Sequence, residues 1–183
     1  MTLFLQRIAS PIGTIHVVSD DVAVRALDFD DYVPRRDRLL QAHYGAVEVR
    51  ERENHLGMRE RLEAYFAGDF AAFEGLPLAT NGTPFQKAVW AALCAIPAGT
   101  TMSYGAMARG LGVPGAARAV GLANGSNPIG LIVPCHRVIG ADGTLTGYGG
   151  GLPRKAWLLR HEGVRLAADA SAAQTAFDFA TSP

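Results

Sequence analysis

The chain has 183 residues, of which 49% are hydrophobic and 19% charged, and its formal net charge at pH 7 is zero. This size and composition are typical of a globular protein with one domain or two small ones, and they exclude a disordered or repetitive chain. No apolar stretch reaches the roughly eighteen residues of a membrane span, and the N-terminal sequence has neither the basic start nor the apolar centre of a signal peptide.

The cysteine and histidine content argues against disulfides and metals. The two cysteines, Cys94 and Cys135, are too few for a disulfide framework and fit the reducing cytoplasm. The five histidines are scattered along the chain, without the paired spacing of a metal site. We therefore expect a cytoplasmic protein with no metal, no cofactor and no membrane partner.

Charge is unevenly distributed along the chain. Residues 1–83 carry nine Lys or Arg and thirteen Asp or Glu, whereas residues 84–165 carry eight Lys or Arg and only two acidic residues. A basic excess of this kind is typical of a module that contacts phosphate. Chance variation between two halves would give the same numbers, so charge alone leaves a nucleic-acid partner open.

The N-terminal third alternates in hydrophobicity like β-strands and then changes to helical patterns. This order predicts a small α/β lobe over residues 1–82, in which an irregular connection begins at about residue 70. The three predicted strands, taken as an antiparallel set, cover residues 2–10, 13–19 and 22–31, and the two predicted helices cover residues 35–45 and 57–69.

The second half opens with a predicted helix in "TPFQKAVWAALCAIPAG". Thr83 is suited to cap this helix, Pro84 is favoured at a first helical position, and the final "PAG" ends it. Cys94 falls on this apolar helix, and we predict that it is a core residue.

Two short helices joined by a glycine-containing turn follow, at residues 103–110 and 115–123. The pattern is typical of a helix-turn-helix, although two packed helices with no DNA role produce it as well. Arg118 is the only long polar side chain in the middle of the second helix. A helix that reads base sequence needs several such side chains, so a transcriptional regulator is disfavoured and any DNA contact would have little sequence preference.

A final helix is predicted from Pro153 to Glu162, before Gly163. The predicted elements of the second half form one helical domain over residues 83–166. Residues 167–183 are predicted to be a flexible tail.

The stretch "IVPCHRVIG" places Cys135 between a proline and His136. A thiol with an ordinary pKa is largely protonated at neutral pH, so a nucleophilic cysteine needs a neighbour that lowers its pKa or accepts its proton. We predict that "LIVP" is a buried strand and that His136 reaches Cys135 at a turn or through a water molecule. A chance Cys-His pair in a core strand is the alternative. The flanking "GSNP" and "TGYGGG" favour a reactive site, because such segments let backbone approach a ligand.

Six motifs occur in a fixed order: "SYG", "AARAVG", "NGSNP", "PCHRV", "GYGGG" and "RKAWLLRHEG". With them the chain resembles the O6-alkylguanine-DNA alkyltransferase family, most of all its bacterial constitutive type. The similarity is dense over residues 83–166, whereas the N-terminal lobe matches in its order of strands and helices and in "EAYFAGD". The resemblance implies a ribonuclease H-like N-terminal lobe, a winged-helix-like C-terminal lobe and a monomer.

The reaction that the resemblance implies is a single-turnover transfer of an alkyl group from O6 of guanine, and also from O4 of thymine, in double-stranded DNA. Cys135 would accept the alkyl group, His136 would relay the proton through a water molecule, and Glu162 would orient His136. Tyr104 would contact the base and help to neutralise it, and Asn127 would brace the active-site turn.

The base pocket implied by the resemblance includes Tyr148 as a wall and Lys155 behind the pocket loop. The backbone carbonyls of Cys135 and Val138 would bind the amino group of guanine. Some family members have a serine after the pocket tyrosine, whereas this chain has Gly149, whose N–H remains available. Metal-binding cysteines known from some N-terminal lobes are absent from this sequence.

The DNA contact implied by the resemblance uses the second helix of the helix-turn-helix in the minor groove. Arg118 would enter the duplex in place of the flipped-out base. The other predicted DNA-binding positions are Ala116, Ala117, Tyr104, Asn124 and Gly125.

The size of the pocket is also addressed by the resemblance. Some family members carry bulky residues just upstream of the asparagine that braces the turn, whereas this chain has Asn124 and Gly125 there. We therefore predict a pocket that accepts alkyl groups larger than methyl.

Three other functions compete with this interpretation. A Cys-His hydrolase would turn over and would leave the Arg118 helix without a purpose. A damage-binding relative that lacks the cysteine would not carry Cys135, and a transcriptional regulator would need a better reading surface. Salt-dependent, sequence-independent DNA binding separates the hydrolase from the others.

Overall fold

The computed structural model describes residues 1–166 of the chain, so the tail predicted for residues 167–183 lies outside the described residues. The chain forms two compact units. The first comprises Met1–Gly82 together with Pro128–Ile132, and the second comprises Thr83–Asn127 and the residues from Val133 onward. Within residues 1–166, no helix is both long and apolar enough to cross a membrane.

The first unit is built on a four-stranded sheet in the order β3-β2-β1-β4. The three strands predicted from the sequence are present and antiparallel. A fourth, exposed strand pairs in parallel with β1 and was not predicted, because its sequence "EVRE" has no apolar alternation that faces a core. The strands are β1 (Thr2–Ile8), β2 (Ile15–Ser19), β3 (Val24–Phe29) and β4 (Glu48–Glu51).

The first unit also has two α-helices, α1 (Val33–Tyr44) and α2 (Met58–Phe66). Both were predicted, and Gly45 ends α1 as expected, with a φ of 68°. Leu40 of α1 packs into an apolar cluster with residues of the sheet. The buried members of that cluster are Leu3, Leu5, Val18, Ala26 and Leu40.

The segment Pro128–Ile132 pairs with the edge strand β3. The Leu27 N–H donates to the carbonyl of Pro128 at 2.9 Å, and the Leu27 carbonyl accepts from the N–H of Gly130 at 3.1 Å. Backbone groups of β3 that would otherwise form an unpaired sheet edge are satisfied in this way. The first unit thus fixes a piece of chain that ends three residues before Cys135.

The predicted buried strand "LIVP" is not formed. Ile129 makes an isolated bridge, and the residues after it form turns in which Leu131 has a φ of 68°. The left-handed conformation is costly for a residue with a Cβ, by about 1–2 kcal/mol, and it prevents a strand from continuing. The prediction of burial is confirmed, since Leu131 is 2% exposed.

The second unit begins with α3 (Pro84–Cys94). Thr83 and Gln86 form a reciprocal capping box at its start, which confirms the predicted cap. The prediction that Cys94 is a core residue is wrong, because its side chain is exposed. The buried face of α3 comprises Val89, Trp90 and Leu93. One residue after Leu93, the helix has turned by about 100° and Cys94 points elsewhere.

The predicted helix-turn-helix is present as α4 (Tyr104–Gly110) and α5 (Ala117–Gly125). Ser103 caps α4 by accepting from the N–H of Ala106. A short parallel pair, β5 (Met102–Ser103) with β6 (Val138–Ile139), joins the start of α4 to the chain after Cys135.

The last helix of the described chain is α6 (Leu152–His161). It begins one residue before the predicted start, and Glu162 caps its C-terminal end. Gly163 follows with a φ of 90°, a left-handed conformation that glycine adopts without strain.

Candidate active site

Cys135 begins a single turn of 3-10 helix, Cys135–Arg137. Its N–H donates to the Val133 carbonyl at 2.7 Å, and its own carbonyl accepts from the N–H of Val138. The residue is only 4% exposed. The thiol and the following imidazole therefore lie on a tight turn rather than on a strand, where neighbouring side chains would point to opposite faces.

Asn127 braces the approach to this turn. Its side chain is fully buried, and Nδ2 donates to the carbonyl of Val133 at 2.8 Å. Its own N–H donates to the carbonyl of Asn124 near the end of α5, at 3.2 Å. Asn127 thus ties the end of α5 to a residue two positions before Cys135, which is the contact that a bracing role requires.

His136 and Glu162 form a buried pair. His136 is fully buried, and its Nε2 lies 2.9 Å from Oε1 of Glu162. Burial favours the neutral acid, but hydrogen bonds from His136 and Arg137 outweigh it and hold the pKa of Glu162 well below its usual range. An ionised carboxylate only accepts hydrogen bonds, so the proton of His136 lies on Nε2. Nδ1 is buried and has no hydrogen-bond partner among residues 1–166.

The imidazole of His136 is held in its neutral form. Burial lowers the pKa of His136 below its ordinary value. Glu162 opposes this shift, whereas the positive charges of Arg137 and Lys155 add to it. A neutral ring with a lone pair on Nδ1 can accept a proton, so the residue next to Cys135 has the properties of a general base.

Arg137 is a buried cation that was not predicted as a site residue. Its Nε and Nη2 donate to Oε2 and Oε1 of Glu162 at 2.8 and 2.9 Å, and its Nη1 donates to the Ile96 carbonyl at 2.6 Å. Its side chain is 11% exposed. One sequence signal was available, because Arg137 is the only permanent charge in the apolar stretch "IVPCHRVIG", and a charge in such a run predicts a buried ion pair.

Lys155 is a second buried cation, with no exposed surface. Its Nζ donates to the carbonyls of Val138, Thr146 and Gly147 at 2.6, 2.7 and 3.2 Å. Burial lowers the pKa of Lys155 to about 8, against the opposing effect of negative charge on Cys135. Lys155 therefore joins the loop around Thr146 to the strand that follows the 3-10 turn.

The two predicted pocket tyrosines lie close to this group. The hydroxyl of Tyr104, the first residue of α4, donates to the Thr146 carbonyl at 3.1 Å. Burial raises the pKa of Tyr104, and the hydrogen bond to Thr146 opposes that shift. The ring of Tyr148 lies edge-on to the ring of His136, at 6.3 Å between centroids. Gly149 follows directly in the same loop.

Asn124, predicted as a DNA contact, is buried beside the 3-10 turn Cys135–Arg137, which we call the thiol turn. It is 4% exposed, and its Nδ2 lies 3.4 Å from the carbonyl of Cys135. Its amide also hydrogen-bonds to Tyr104. Gly125 is exposed, and a Cβ added there would meet nothing within 4 Å. The side chain of Asn124 therefore belongs to the surroundings of Cys135, whereas Gly125 lies on the helix surface.

The exposed side of α5 carries Arg118. Gly125 and Leu122 are exposed on the same side, as their spacing of three and four residues requires, and Leu122 is 72% exposed. Ala116 and Ala117 at the start of the helix are half-buried. This surface has one cation among small and apolar side chains, which suits close approach to a groove rather than base reading.

The described residues offer no metal site. Between residues 1 and 166, no group of three or more His, Cys, Asp or Glu side chains is arranged to hold a metal ion. The groups gathered around the Cys135 thiol are a neutral imidazole, a carboxylate and two buried cations.

Two family models match this chain. The model for the DNA binding domain of 6-O-methylguanine DNA methyltransferase matches residues 84–164. The model for the ribonuclease-like domain of the same proteins matches residues 3–80. Together they confirm the expectation of a ribonuclease-like lobe followed by a DNA-binding module.

Similar proteins cover nearly the whole chain. The methylated-DNA–protein-cysteine methyltransferase of Salmonella typhimurium is 52% identical over 169 residues, which are 91% of this chain and 99% of that protein. Its counterpart in Methanosarcina acetivorans is 46% identical over 157 residues, covering 84% of this chain and 94% of that protein. The crystal structure of Mycobacterium tuberculosis OGT in complex with DNA is 42% identical, with a TM-score of 0.75, and the match covers 93% of this chain and 98% of that one.

Gly99 offers a test of how tightly Glu162 is held. It has a φ of 79°, and a Cβ added there would lie 2.9 Å from the Glu162 carbonyl. Gly112 has a similar φ of 74° with nothing within 4 Å, so it is a matched control. Both Gly→Ala changes should cost about 1–2 kcal/mol for the backbone. Gly99→Ala should cost a further amount of about 1 kcal/mol or more, because the Glu162 backbone must move.

Urea unfolding of the two variants measures this difference. Equal losses of unfolding free energy in Gly99→Ala and Gly112→Ala would show that the backbone at Glu162 yields easily, which would contradict a rigidly positioned carboxylate.

Proposed function

Because the chain belongs to the 6-O-methylguanine DNA methyltransferase family, we propose that it repairs DNA by transferring an alkyl group from O6 of guanine to Cys135. The observation that carries the proposal is the buried 3-10 turn at Cys135. In it the next residue, His136, has a neutral imidazole that Glu162 orients. The exposed Cys94 lacks such a neighbour in the sequence, and the two cysteines suit the cytoplasm.

The proposed step needs one proton transfer and one displacement. The Cys135 thiol gives its proton to Nδ1 of His136 through a water molecule, and the resulting sulfur nucleophile attacks the alkyl carbon bonded to O6. A sulfur–carbon bond forms, the carbon–oxygen bond breaks, and its electron pair stays with guanine. The proton taken from the thiol ends on guanine, so that a neutral base leaves and no co-reactant is consumed.

Tyr104 is suited to assist the leaving group. Its hydroxyl is a donor whose partner in this structure is the Thr146 carbonyl, and burial raises the pKa of Tyr104, so the hydroxyl keeps its proton at neutral pH. A base that entered the pocket would exchange this carbonyl for a guanine nitrogen as the acceptor. Donation of a hydrogen bond offsets the charge that develops on guanine as the carbon–oxygen bond breaks.

Recognition of guanine would rely on backbone groups. The carbonyl of Val138 accepts from Lys155 and has a second lone pair, whereas the carbonyl of Cys135 accepts from the N–H of Val138 and, at 3.4 Å, from Asn124. The second lone pair of Val138, and the position on the Cys135 carbonyl that Asn124 would give up, are suitable acceptors for the amino group of guanine. Because Lys155 also holds the loop that leads to Tyr148 and Gly149, it would set the width of the pocket.

The DNA contact would use the exposed surface of α5. The target oxygen is inaccessible inside a base-paired stack, so the nucleotide must rotate out of the duplex. Arg118 is long enough to occupy the vacated space, and the surrounding small residues permit close approach. The basic balance of residues 84–165 favours phosphate binding without sequence preference, and the related Mycobacterium tuberculosis protein solved with DNA supports the partner.

The reaction would consume the protein. Transfer leaves a thioether at Cys135, and no group described around it is suited to cleave a carbon–sulfur bond. Each molecule therefore repairs one lesion.

The identity of the acceptor can be tested by mass spectrometry. Incubation with duplex DNA that carries O6-methylguanine should add one methyl group per molecule, and peptide mapping should place it on Cys135. Cys135→Ala should gain none, because the sulfur nucleophile is missing, whereas Cys94→Ala should react like the wild type. Methylation of Cys94, or continued turnover after one equivalent, would contradict the proposal.

The role of Arg118 can be separated from the chemistry at Cys135. Arg118→Ala should slow transfer from duplex DNA by about tenfold or more, since base flipping loses the side chain that fills the stack. Its reaction with the free base O6-benzylguanine, which needs no flipping, should stay within about twofold of the wild type. Arg59→Ala, an exposed arginine on α2, is the matched control. Equal slowing on both substrates would place Arg118 in the chemistry instead.

The pocket is expected to accept alkyl groups larger than methyl. Single-turnover rates with duplex DNA carrying O6-methylguanine or O6-benzylguanine should agree within about tenfold, because the α5 side chain beside Cys135 is Asn124 rather than a bulky one. A benzyl rate lower by several further orders of magnitude would show that the pocket is closed to bulky groups.

A further inference from the structure

Arg137 shares one acceptor with the proposed general base. Oε1 of Glu162 lies 2.9 Å from Nε2 of His136 and 2.9 Å from Nη2 of Arg137. Oε2 of the same carboxylate accepts from Nε of Arg137 at 2.8 Å. The guanidinium therefore binds both oxygens in a bidentate pair, a geometry that fixes the plane and rotation of the carboxylate.

The third contact of Arg137 anchors it to the protein backbone. Its Nη1 donates to the carbonyl of Ile96, just beyond the C-terminal end of α3, at 2.6 Å. The guanidinium thus spans from that helix end to Glu162 at the end of α6, with the thiol turn between them in sequence. Because all three contacts are made by one rigid, planar group, a change in any of these elements would rotate the Glu162 carboxylate.

The charges around a buried carboxylate determine whether the adjacent imidazole is neutral or protonated. An isolated carboxylate beside His136 would favour the imidazolium, which has no lone pair to accept the thiol proton. Arginine remains charged at all relevant pH values, so the pair of Arg137 with Glu162 has no net charge. Glu162 can then accept the Nε2–H of His136 without drawing a second proton onto the ring.

We propose that Arg137 is a positioning residue that keeps His136 neutral and correctly oriented for proton transfer from Cys135. The proposal rests on the proposed function for its kinetic consequence, but its effect on the imidazole is independent of any substrate. Charged and titratable groups from three elements surround His136. They are Lys155 of α6 and Glu162 at its C-terminal end, Cys135 and Arg137 of the thiol turn, and Tyr148 of the loop before α6.

The structure favours this role over a purely structural one. If Arg137 only stabilised the fold, any group that filled its volume and satisfied the Ile96 carbonyl would serve. If it balances the charge of Glu162, removal of its charge must raise the pKa of His136, because the repulsion from Arg137 disappears while the attraction from Glu162 remains. Lysine keeps the charge without the bidentate geometry, so it separates the two contributions.

The test compares wild type with Arg137→Gln and Arg137→Lys in two measurements. The first is an NMR titration of the His136 ring in the full chain without DNA. The titration should move to higher pH in Arg137→Gln, and to a smaller extent in Arg137→Lys. The second is the pH dependence of the single-turnover rate with O6-methylguanine DNA. The acid limb of Arg137→Gln should move to higher pH, with a loss of about tenfold or more at neutral pH that is largely recovered in mild alkali.

A double variant controls for charge balance. Arg137→Gln combined with Glu162→Gln removes both charges, so the titration of His136 should return to lower pH although the guanidinium is still missing. This double variant and Arg137→Lys keep the test informative if Arg137→Gln does not fold.

Two results would overturn the proposal. The first is an unchanged titration of His136 in folded Arg137→Gln or Arg137→Lys, with a pH–rate profile of unchanged shape. The second is a titration of the double variant that stays as high as that of Arg137→Gln. Failure of the proposed function looks different, because wild-type protein would then leave O6-methylguanine DNA unaltered while the His136 titrations still respond to Arg137.

Discussion

The structure around Cys135 depends on one buried carboxylate. Glu162 is 5% exposed, and burial of a charge in this way is stable only when hydrogen bonds and an opposite charge compensate it. His136 and Arg137 supply this compensation from adjacent positions of a single 3-10 turn. Their contacts fix the tautomer of the imidazole, and so they determine which of its nitrogens can accept a proton. The conformation of the turn therefore sets the geometry on which the proposed chemistry depends.

The second unit carries the proposed acid–base group and the proposed DNA-contacting surface on different elements. The acid–base group lies on the 3-10 turn and the end of α6, whereas Arg118 lies on α5. Asn127 connects them, since its backbone contacts the end of α5 and its side chain holds Val133, two residues before the turn. A displacement of α5 would therefore be transmitted toward the thiol through the hydrogen bond of 2.8 Å between Nδ2 of Asn127 and the Val133 carbonyl. In the proposed function, loss of the thiol proton and entry of the base are thus assigned to separate side chains.

Much of this arrangement could be predicted from the sequence, and the exceptions have physical reasons. Caps and glycine stops located the helices, because these signals act locally, as Thr83 shows. Cys94 was misplaced because an apolar helix leaves the orientation of each residue undetermined until its partners are known. The segment before Cys135 is not a strand, since pairing with β3 and the left-handed Leu131 depend on distant chain that composition does not describe. Arg137 was overlooked for the same reason, because its partner Glu162 lies 25 residues away.

The central claim is that Glu162 and Arg137 together hold His136 as a neutral imidazole with its proton on Nε2. A neutron diffraction structure of the full chain at neutral pH would test this claim most directly, because deuterium positions reveal both charge and tautomer. We expect deuterium on Nε2 of His136, none on Nδ1 and none on the Glu162 carboxylate. Deuterium on Nδ1, alone or together with Nε2, would leave the thiol without a base and would contradict the account.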